Sequence, residues 1–223
     1  MTISARSGET IAEIRGERLT LYAERAAFWQ GASTLLVADP HWGKAATFRS
    51  SGIPVPSGTT RDAIDRLSSL ITRTATRRVV FLGDLLHARE GRSSDMFAAL
   101  SSWRLANPGV EVLLVRGNHD RRAGDPPAEL GIECVDAPYQ ASPFVFAHNP
   151  VANPDGYVIA GHIHPGIRLY GAGRQRERLP CFVFGREFGV LPAFGDFTGL
   201  ADIEPGDGDA VYAVAGEGVV RVV

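Results

Sequence analysis

Short, continuous runs of apolar residues recur along this chain and are separated by amphipathic stretches. Four runs have the length of a strand that is buried on both faces, at residues 34–38, 78–82, 111–115 and 144–147. Between the first two, Ile64, Leu67 and Ile71 follow a helical spacing behind the capping sequence Ser-Gly-Thr-Thr. Between the second and third, another helix is predicted with Ser93 or Ser94 as its cap. Strands and helices that alternate in this way predict a layered α/β domain.

Further strands are predicted on either side of this pattern. Two precede it, at residues 18–22 and 26–29, and two follow it, at residues 182–184 and 211–214. The later strands are expected to complete a second sheet. The polar, arginine-rich stretch 171–178 is interpreted as a loop. Because no internal repeat or boundary divides the chain, we predict a single domain over residues 1–223.

Side chains of the kind that bind metals stand where the apolar runs end. The pattern is clearest in the segment 161–165, because His162 and His164 are spaced i, i+2 at the end of an extended strand and project to the same side. The full set is Asp39, His41, Asp84, Asn118, His148, His162 and His164. Open α/β sheets gather their sites at the carboxyl ends of strands, so we expect these seven side chains to lie close together.

Seven ligands are enough for two metal ions that share one bridging carboxylate. Mixed imidazole and carboxylate ligands suit Mn, Fe, Ni or Zn better than Mg or Ca, and the share of oxygen ligands favours Mn. Two cations about 3.5–4 Å apart can hold the oxygens of a phosphate and deprotonate a bridging water for in-line attack. The ligand set therefore predicts hydrolysis of phosphoesters.

The residue after one of these ligands is a candidate for proton transfer. His119 follows Asn118 directly, so we expect it to stabilise developing charge or to protonate the leaving oxygen. Asp120 is expected to hold the ring of His119 in one orientation. His87 lies three residues after Asp84 and is interpreted as a residue behind a ligand or at a helix start, not as a ligand.

In order along the chain, five segments resemble the metal motifs of the calcineurin-like binuclear metallophosphoesterases: Asp39-Pro40-His41, Gly83-Asp84, Gly117-Asn118-His119-Asp120, His148 and Gly161-His162-Ile163-His164. The resemblance implies a four-layer α/β/β/α sandwich. It also implies one metal held by Asp39, His41, Asp84 and His164, and a second held by Asp84, Asn118, His148 and His162. Asp84 is then the bridging carboxylate.

A narrower resemblance covers nearly the full length of the chain. The segments 38–44, 48–54, 116–120, 161–165 and 191–199 are similar to the ligase-associated metallophosphoesterase, an endonuclease of bacterial DNA-repair clusters. That family implies a manganese-dependent phosphodiesterase that nicks single-stranded DNA, with the ligase, helicase and exonuclease of the cluster as candidate partners. Trp42 and Leu200 depart from its pattern, where Leu and Gly are expected.

Basic and aromatic residues beside the motifs are candidate substrate contacts. Lys44, Arg49 and Arg116 are expected to meet substrate phosphates, and a solvated rim is the alternative. Arg121 and Trp42 are further candidates, although Trp42 is at least as readily explained by core packing as by stacking on a base. Four arginines near the predicted loop could guide a DNA strand or simply be solvated: Arg168, Arg174, Arg176 and Arg178.

Composition and charge limit the alternatives. A formal net charge of -2 argues against an overall cationic surface, so DNA binding would need local basic patches. Two cysteines provide neither a disulfide framework nor a cysteine-rich zinc module. No signal core or 18-residue apolar span is present, so we expect a soluble protein of the reducing cytoplasm and no membrane partner.

Two alternatives to a DNA phosphodiesterase stay open from the sequence. The same metals could serve a phosphomonoesterase or a nucleotide phosphohydrolase, which a preference for monoesters over diesters would reveal. A non-catalytic scaffold that binds a repair partner is the other alternative, although it has no need for seven correctly ordered ligands. An empty but stable metal site would favour the scaffold.

Overall fold

A computed structural model of the chain describes residues 8–56, 58–171 and 176–223. The first sheet contains β1 (Glu9–Ile14), β2 (Glu17–Tyr22), β3 (Ala26–Trp29), β4 (Thr34–Val37), β5 (Arg78–Phe81), β6 (Glu111–Val115) and β7 (Glu133–Val135). These strands lie side by side in chain order. The pairs from β1 to β4 are antiparallel, and the pairs from β4 to β7 are parallel.

The helices connect the parallel strands of this sheet. They are α1 (Lys44–Ser50), α2 (Thr59–Thr74), α3 (Ser94–Ala106) and α4 (Asn118–Ala123). α2 and α3 are the two helices predicted from the sequence, and the cap of α3 is Ser93, whose hydroxyl accepts from the Met96 N–H at 3.2 Å. The short helices α1 and α4 were not predicted, because neither presents an apolar stripe longer than one turn.

The second sheet contains β8 (Tyr139–Ala141), β9 (Phe144–Phe146), β10 (Tyr157–Ala160), β11 (Pro165–Tyr170), β12 (Arg176–Phe184), β13 (Phe188–Val190), β14 (Ala201–Asp202), β15 (Ala210–Ala215) and β16 (Gly218–Arg221). The strand order is β14-β11-β12-β13-β10-β9-β8, with β15 beside β12 and β16 beside β15. The prediction of a loop over residues 171–178 is wrong at its end, since β12 begins at Arg176 and pairs with β11.

Alternate residues of the central strands face two different cores. The register aligns Leu36 with Val80 and Val80 with Leu113, and all three lie between the two sheets. Their neighbours Leu35 and Val79 face the opposite way, into the core under the helices. These strands are buried on both faces, which explains why they appear in the sequence as continuous apolar runs.

The helices cover the outer face of the first sheet, and the two sheets pack against each other, so the predicted α/β sandwich is confirmed. The fourth layer of the predicted α/β/β/α sandwich, on the outer face of the second sheet, is thinner than a layer of helices. In the described ranges, the outer face of the second sheet carries a small apolar cluster that includes Cys181 and Val211, against which Ile203 and Val222 pack, and no helix. None of the described helices is long and apolar enough to cross a bilayer.

Candidate metal centre

The seven predicted ligands meet at one edge of the sandwich. On the first sheet, Asp39 and His41 follow β4, Asp84 follows β5 and Asn118 begins α4 after β6. On the second sheet, His148 follows β9, and the pair His162 and His164 lies between β10 and β11. The parallel strands of both sheets point their carboxyl ends toward this edge, which is where open α/β sheets place their sites.

Most of these ligands have a left-handed backbone. The φ angles are +51° at Asp39, +47° at His41, +52° at Asp84, +71° at His162 and +53° at His164. Each such residue costs about 1–3 kcal/mol and persists only where its surroundings fix it. The sharp turn after each strand directs the ligand side chain inward across the sheet edge.

Glycines beside the ligands provide the space for this close packing. A Cβ atom at Gly117 would lie 2.2 Å from Asp84 Oδ1, and one at Gly161 would lie 2.4 Å from Asp39 Oδ2. No side-chain atom fits at these separations. The glycine that precedes Asn118 and the one that precedes His162 are therefore part of the site, although neither has a side chain to contribute.

Backbone N–H groups orient the two carboxylates in the same manner. The His162 N–H donates to Asp39 Oδ2 at 2.8 Å, and the His119 N–H donates to Asp84 Oδ1 at 2.9 Å. The second oxygen of each carboxylate is left to face the other ligands. Asp39 Oδ1 is buried and has no hydrogen-bond partner among the described residues. A buried acceptor of this kind requires a cation or a donor.

Carbonyl groups fix the proton on two of the imidazole rings. His148 Nδ1 lies 3.0 Å from the Leu82 carbonyl, and His164 Nδ1 lies 3.3 Å from the Gly199 carbonyl, so in each ring Nδ1–H donates and Nε2 carries the lone pair. His148 Nε2 lies 3.0 Å from the amide oxygen of Asn118, another acceptor. Acceptors that face one another repel unless a cation lies among them, so these residues fit a metal centre.

The ligands form two groups that we name by their members. The first ligand group is Asp39, His41 and His164, and the second is Asp84, His148 and His162; in each, the ligand atoms lie within 4.8 Å of one another. Asn118 adjoins the second group through His148. Asp84 Oδ2 lies 3.4 Å from His148 Nε2 and 3.9 Å from His41 Nε2, and so between the two groups.

Burial sets the ionisation of the deepest ligands. It lowers the pKa of His41 to about 2, with a smaller contribution from the positive charge of Lys44. Burial also raises the pKa of Asp84, an effect that His148 opposes. His41 therefore stays neutral and able to bind a metal at every physiological pH. The cost of a charged Asp84 falls when positive charge lies beside it.

A third histidine group lies beside the ligands. His87 and His119 stack with ring centroids 4.9 Å apart, and both rings approach His41 edge-on. His119 Nδ1 donates to the His87 carbonyl at 2.7 Å, so its Nε2 is directed toward Asp84, 4.0 Å from Oδ2. His87 thus supports His119 through its carbonyl and its stacked ring, and it is not one of the seven predicted ligands.

The role predicted for Asp120 is wrong. Its two oxygens accept from the Gly117 N–H at 2.9 Å and from the Leu86 N–H at 3.1 Å, and the residue is 1% exposed. Asp120 therefore joins two loops of the site, and the ring of His119 is oriented by the His87 carbonyl instead. Only the fold brings that carbonyl to the ring, so no sequence pattern could have indicated it.

The three predicted phosphate contacts differ in where they lie. Lys44 begins α1 and borders the same cleft as His41, and burial lowers the pKa of its ammonium group. Arg49 lies at the exposed end of α1, where it donates to the Pro56 carbonyl at 3.1 Å. Arg116 makes two hydrogen bonds of 2.7 Å to Asp125. Because Asp125 already neutralises it, Arg116 is the weakest of the three candidates.

Most of the other predicted contacts already have partners within the chain. Trp42 is 2% exposed and packs edge-on against Phe81, so core packing and not base stacking explains it. Arg178 pairs with Asp202 at 2.6 Å, and Arg168 pairs with the same carboxylate. Of the three remaining candidate arginines, Arg121 pairs with Asp136, and Arg176 lies over the ring of Tyr170. Arg174 lies outside the described residues.

Comparisons with known proteins agree with this geometry. The family model described as calcineurin-like phosphoesterase matches residues 32–180. The solved structure of the Pseudomonas putida nuclease MPE is 39% identical in sequence, with a TM-score of 0.84, and the match covers 96% of this chain and 100% of that chain. Among curated proteins, none matches this chain significantly.

Two more distant solved structures are also similar. A protein of unknown function, AQ665 from Aquifex aeolicus, is 13% identical over 59% of this chain and 78% of its own, with a TM-score of 0.41. The phosphoesterase Yfce from E. coli is 14% identical over 85% of this chain and 97% of its own, with a TM-score of 0.40. The family match and the ligand geometry together lead to one assignment: the chain belongs to the calcineurin-like phosphoesterases and is a metal-dependent phosphoester hydrolase.

Proposed function

We propose that this protein is a manganese-dependent endonuclease that hydrolyses phosphodiester bonds of single-stranded DNA during DNA repair. The observation that carries the proposal is the convergence of seven ligands in two groups around Asp84. The similarity to a nuclease over nearly the whole chain supports a polynucleotide substrate. Manganese is the metal that the sequence resemblance implies, and the mixture of oxygen and imidazole ligands also accommodates zinc, iron or nickel.

The ligand groups suggest how two ions would be shared. Asp39, His41, Asp84 and His164 would hold one ion, and Asp84, Asn118, His148 and His162 would hold the other. When bound, two such ions polarise phosphoryl oxygens and activate water for in-line attack. Both carboxylates already present one oxygen to the cluster, because backbone N–H groups hold the other.

His119 is positioned to handle the proton of the leaving group. Its Nδ1–H is committed to the His87 carbonyl, so only Nε2 can exchange a proton within the site. In the protonated ring, Nε2–H would donate to the oxygen that departs, which is general acid catalysis. Lys44, in the same cleft as His41, would attract the phosphate backbone.

The cellular setting is also part of the proposal. A repair ligase, helicase or exonuclease remains the predicted partner class, on the strength of the sequence resemblance. Both cysteines, Cys134 and Cys181, are free thiols, which accords with a reducing cytoplasm.

A panel of metals and substrates tests the proposal. The purified protein is assayed with Mn, Fe, Ni, Zn and Mg on single-stranded DNA, duplex DNA, a small diester and the matching monoester. We expect Mn to support cleavage of the single strand and of the diester. An Asp39→Ala variant prepared in the same way controls for a contaminating nuclease.

Each contrary outcome has a distinct meaning. Absence of turnover on both DNA and the diester with every metal would overturn the proposal. Faster hydrolysis of the monoester than of the diester would assign the centre to a phosphomonoesterase. A stable protein that takes up no metal would point to a binding role.

A further inference from the structure

Phe197 differs from the other phenylalanines of the chain. All eleven lie in the described residues, and Phe197 alone is exposed, with 47% of its surface accessible to solvent. It borders a cleft that is also lined by His41 and Lys44. An aromatic ring is therefore presented to solvent directly beside the first ligand group.

The backbone at Phe197 is in the left-handed region, with φ at +60°. Bulky residues rarely adopt this conformation. Burial of the ring does not offset the strain, because the ring is half exposed. Strain of this kind persists where neighbouring contacts fix the chain, and it is concentrated at binding and catalytic sites.

Ion pairs fix the residue before Phe197. Asp196 accepts from Arg66 at 2.9 Å and also from Arg25. Arg25 and Arg66 are about a fifth and a quarter exposed, so both pairs are partly shielded from solvent. The position of Phe197 is therefore set by two separate parts of the fold, the turn after β2 and the helix α2.

The residues around Phe197 also contact the ligands themselves. The Gly195 N–H donates to the Asp39 carbonyl at 3.1 Å. The Gly199 carbonyl accepts from His164 Nδ1 at 3.3 Å. The segment that carries Phe197 is thus joined at both ends to members of the first ligand group, and the backbone at Phe197 has a fixed place relative to the metal centre.

We propose that the ring of Phe197 stacks on a nucleobase next to the scissile phosphate, on the side of the first ligand group. The inference rests on the proposed function, because it takes single-stranded DNA as the substrate. A flat, exposed aromatic ring on a fixed backbone matches the face of an unpaired base, and the ammonium-bearing Lys44 lines the same narrow pocket as Phe197. Trp42, the aromatic candidate from the sequence, is buried and cannot take this role.

Four proteins test the inference: the wild type, Phe197→Ala, Phe197→Trp and Tyr170→Ala. Tyr170 is a matched control, since it is an exposed aromatic residue, 69% accessible, at the far end of β11 from His164. Each manganese-loaded protein is assayed on single-stranded DNA and on methyl p-nitrophenyl phosphate, a diester without a base. Phe197→Ala is expected to lower kcat/KM for DNA about 5- to 100-fold and to leave the small diester unchanged. Phe197→Trp is expected to retain cleavage of DNA.

A modified substrate locates the stacked base. In an oligonucleotide with one abasic nucleotide beside the cleaved bond, the wild type should lose as much as Phe197→Ala loses on intact DNA. Phe197→Ala should cleave the intact and the abasic oligonucleotide at the same rate. Phe197→Gly separates ring loss from misfolding, because glycine relieves the left-handed strain while it removes the ring. It should melt no lower than the wild type and still lose DNA cleavage.

Binding to a nuclease-resistant phosphorothioate oligonucleotide separates this inference from the proposed function. Wild-type protein that binds the oligonucleotide through Phe197 but cuts no DNA would refute the nuclease and keep the stacking. DNA cleavage that Phe197→Ala leaves within twofold of the wild type would overturn the stacking and keep the nuclease. Equal losses on DNA and the small diester, or an equal loss in Tyr170→Ala, would also overturn it.

Discussion

The two ligand groups contain the same kinds of side chain but differ in how far one histidine is exposed to solvent. In the first group, Asp39 and His41 are buried, and the ring of His164 is held by a carbonyl with its side chain 16% exposed. In the second group, His162 is exposed, and its Nδ1 lies 3.0 Å from His148 Nε2. Asp84 and His148 of the second group are also buried, so the difference lies in the third ligand, His164 against His162. Because His164 is the less exposed of the two, we expect the metal of the first group to bind more tightly and to exchange more slowly.

The largest expected effect is at the carboxylate between the groups. Asp84→Ala should lower diester hydrolysis by at least about 10³-fold, because loss of the shared ligand removes several kcal/mol of charge stabilisation from both metals. Metal content by mass spectrometry should fall in both sites. Asp125→Ala, which removes a partly exposed carboxylate outside the cluster, is the control. Full metal content in Asp84→Ala would show that the groups do not depend on a common ligand.

Removal of the proposed acid should affect rate and not metal. His119→Ala is expected to lower the rate of DNA cleavage by about 10²–10⁴-fold, the usual contribution of a positioned acid or base, with both metals retained. A small diester with a good leaving group should be affected less, since its departing oxygen needs no proton. If His119→Ala lost metal instead, His119 would have to be counted with the ligands.

The two histidines of the 161–165 segment test the division directly. His162→Ala and His164→Ala should each weaken one metal by at least about 10-fold, the lower bound set by changes to residues that merely support a ligand. The metal lost from His162→Ala should be the one that a chelator removes first from the wild type. Equal loss of both metals in both variants would contradict the two-group description.

The glycine beside Asp39 offers a change that leaves every ligand in place. Gly161→Ala should destabilise the protein by about 1–3 kcal/mol, because the added methyl would overlap Asp39 Oδ2. Gly109→Ala is the matched control, since a Cβ there meets nothing within 4 Å. Thermal unfolding with and without metal measures both. Equal melting temperatures for the two variants would show that the first group can shift to make room.

The smallest effect concerns pH. Burial, with a smaller contribution from the positive charge of Lys44, lowers the pKa of His87 to about 4. In the unfolded chain the pKa of this ring is about 6.5. Between these two values the unfolded chain binds a proton that the folded protein does not. The stability that His87 contributes is therefore lost as pH falls from about 6.5 toward about 4. In metal-free protein, His87→Asn should flatten the melting temperature's decline over this range. Parallel profiles for the variant and the wild type would contradict the neutral buried ring.

The apolar pattern predicted most of the fold because buried strands leave a direct trace in the sequence. The helix α2 and the strands β4 to β6 were found in this way. The strand β12 was shortened in the prediction because its first residues, Arg176 to Arg178, are polar and lie on an exposed hairpin. A strand segment whose side chains all face solvent has no apolar pattern, so residue types alone do not predict it.

The ligands were predictable for a different reason. Each follows a strand end, so chain order and residue type suffice to collect them. The partners of non-ligand residues were not predictable. Asp120 was assigned to His119 because the two are adjacent, yet its oxygens bond the backbone of Gly117 and Leu86, and the fold alone brings Leu86 there. The partner of Arg116 was likewise not predictable, since Asp125 reaches it only through the turn after α4.

The left-handed backbone of five ligands limits how this enzyme could lose its metals during evolution. Glycine and asparagine tolerate that conformation, whereas branched residues such as valine do not. A descendant that abandoned catalysis would keep its fold most readily through changes such as Asp84→Asn or His162→Gly. An inactive relative should therefore carry asparagine or glycine at positions 39, 41, 84, 162 and 164 in preference to apolar residues, which gives a sequence criterion for recognising decayed copies of this site.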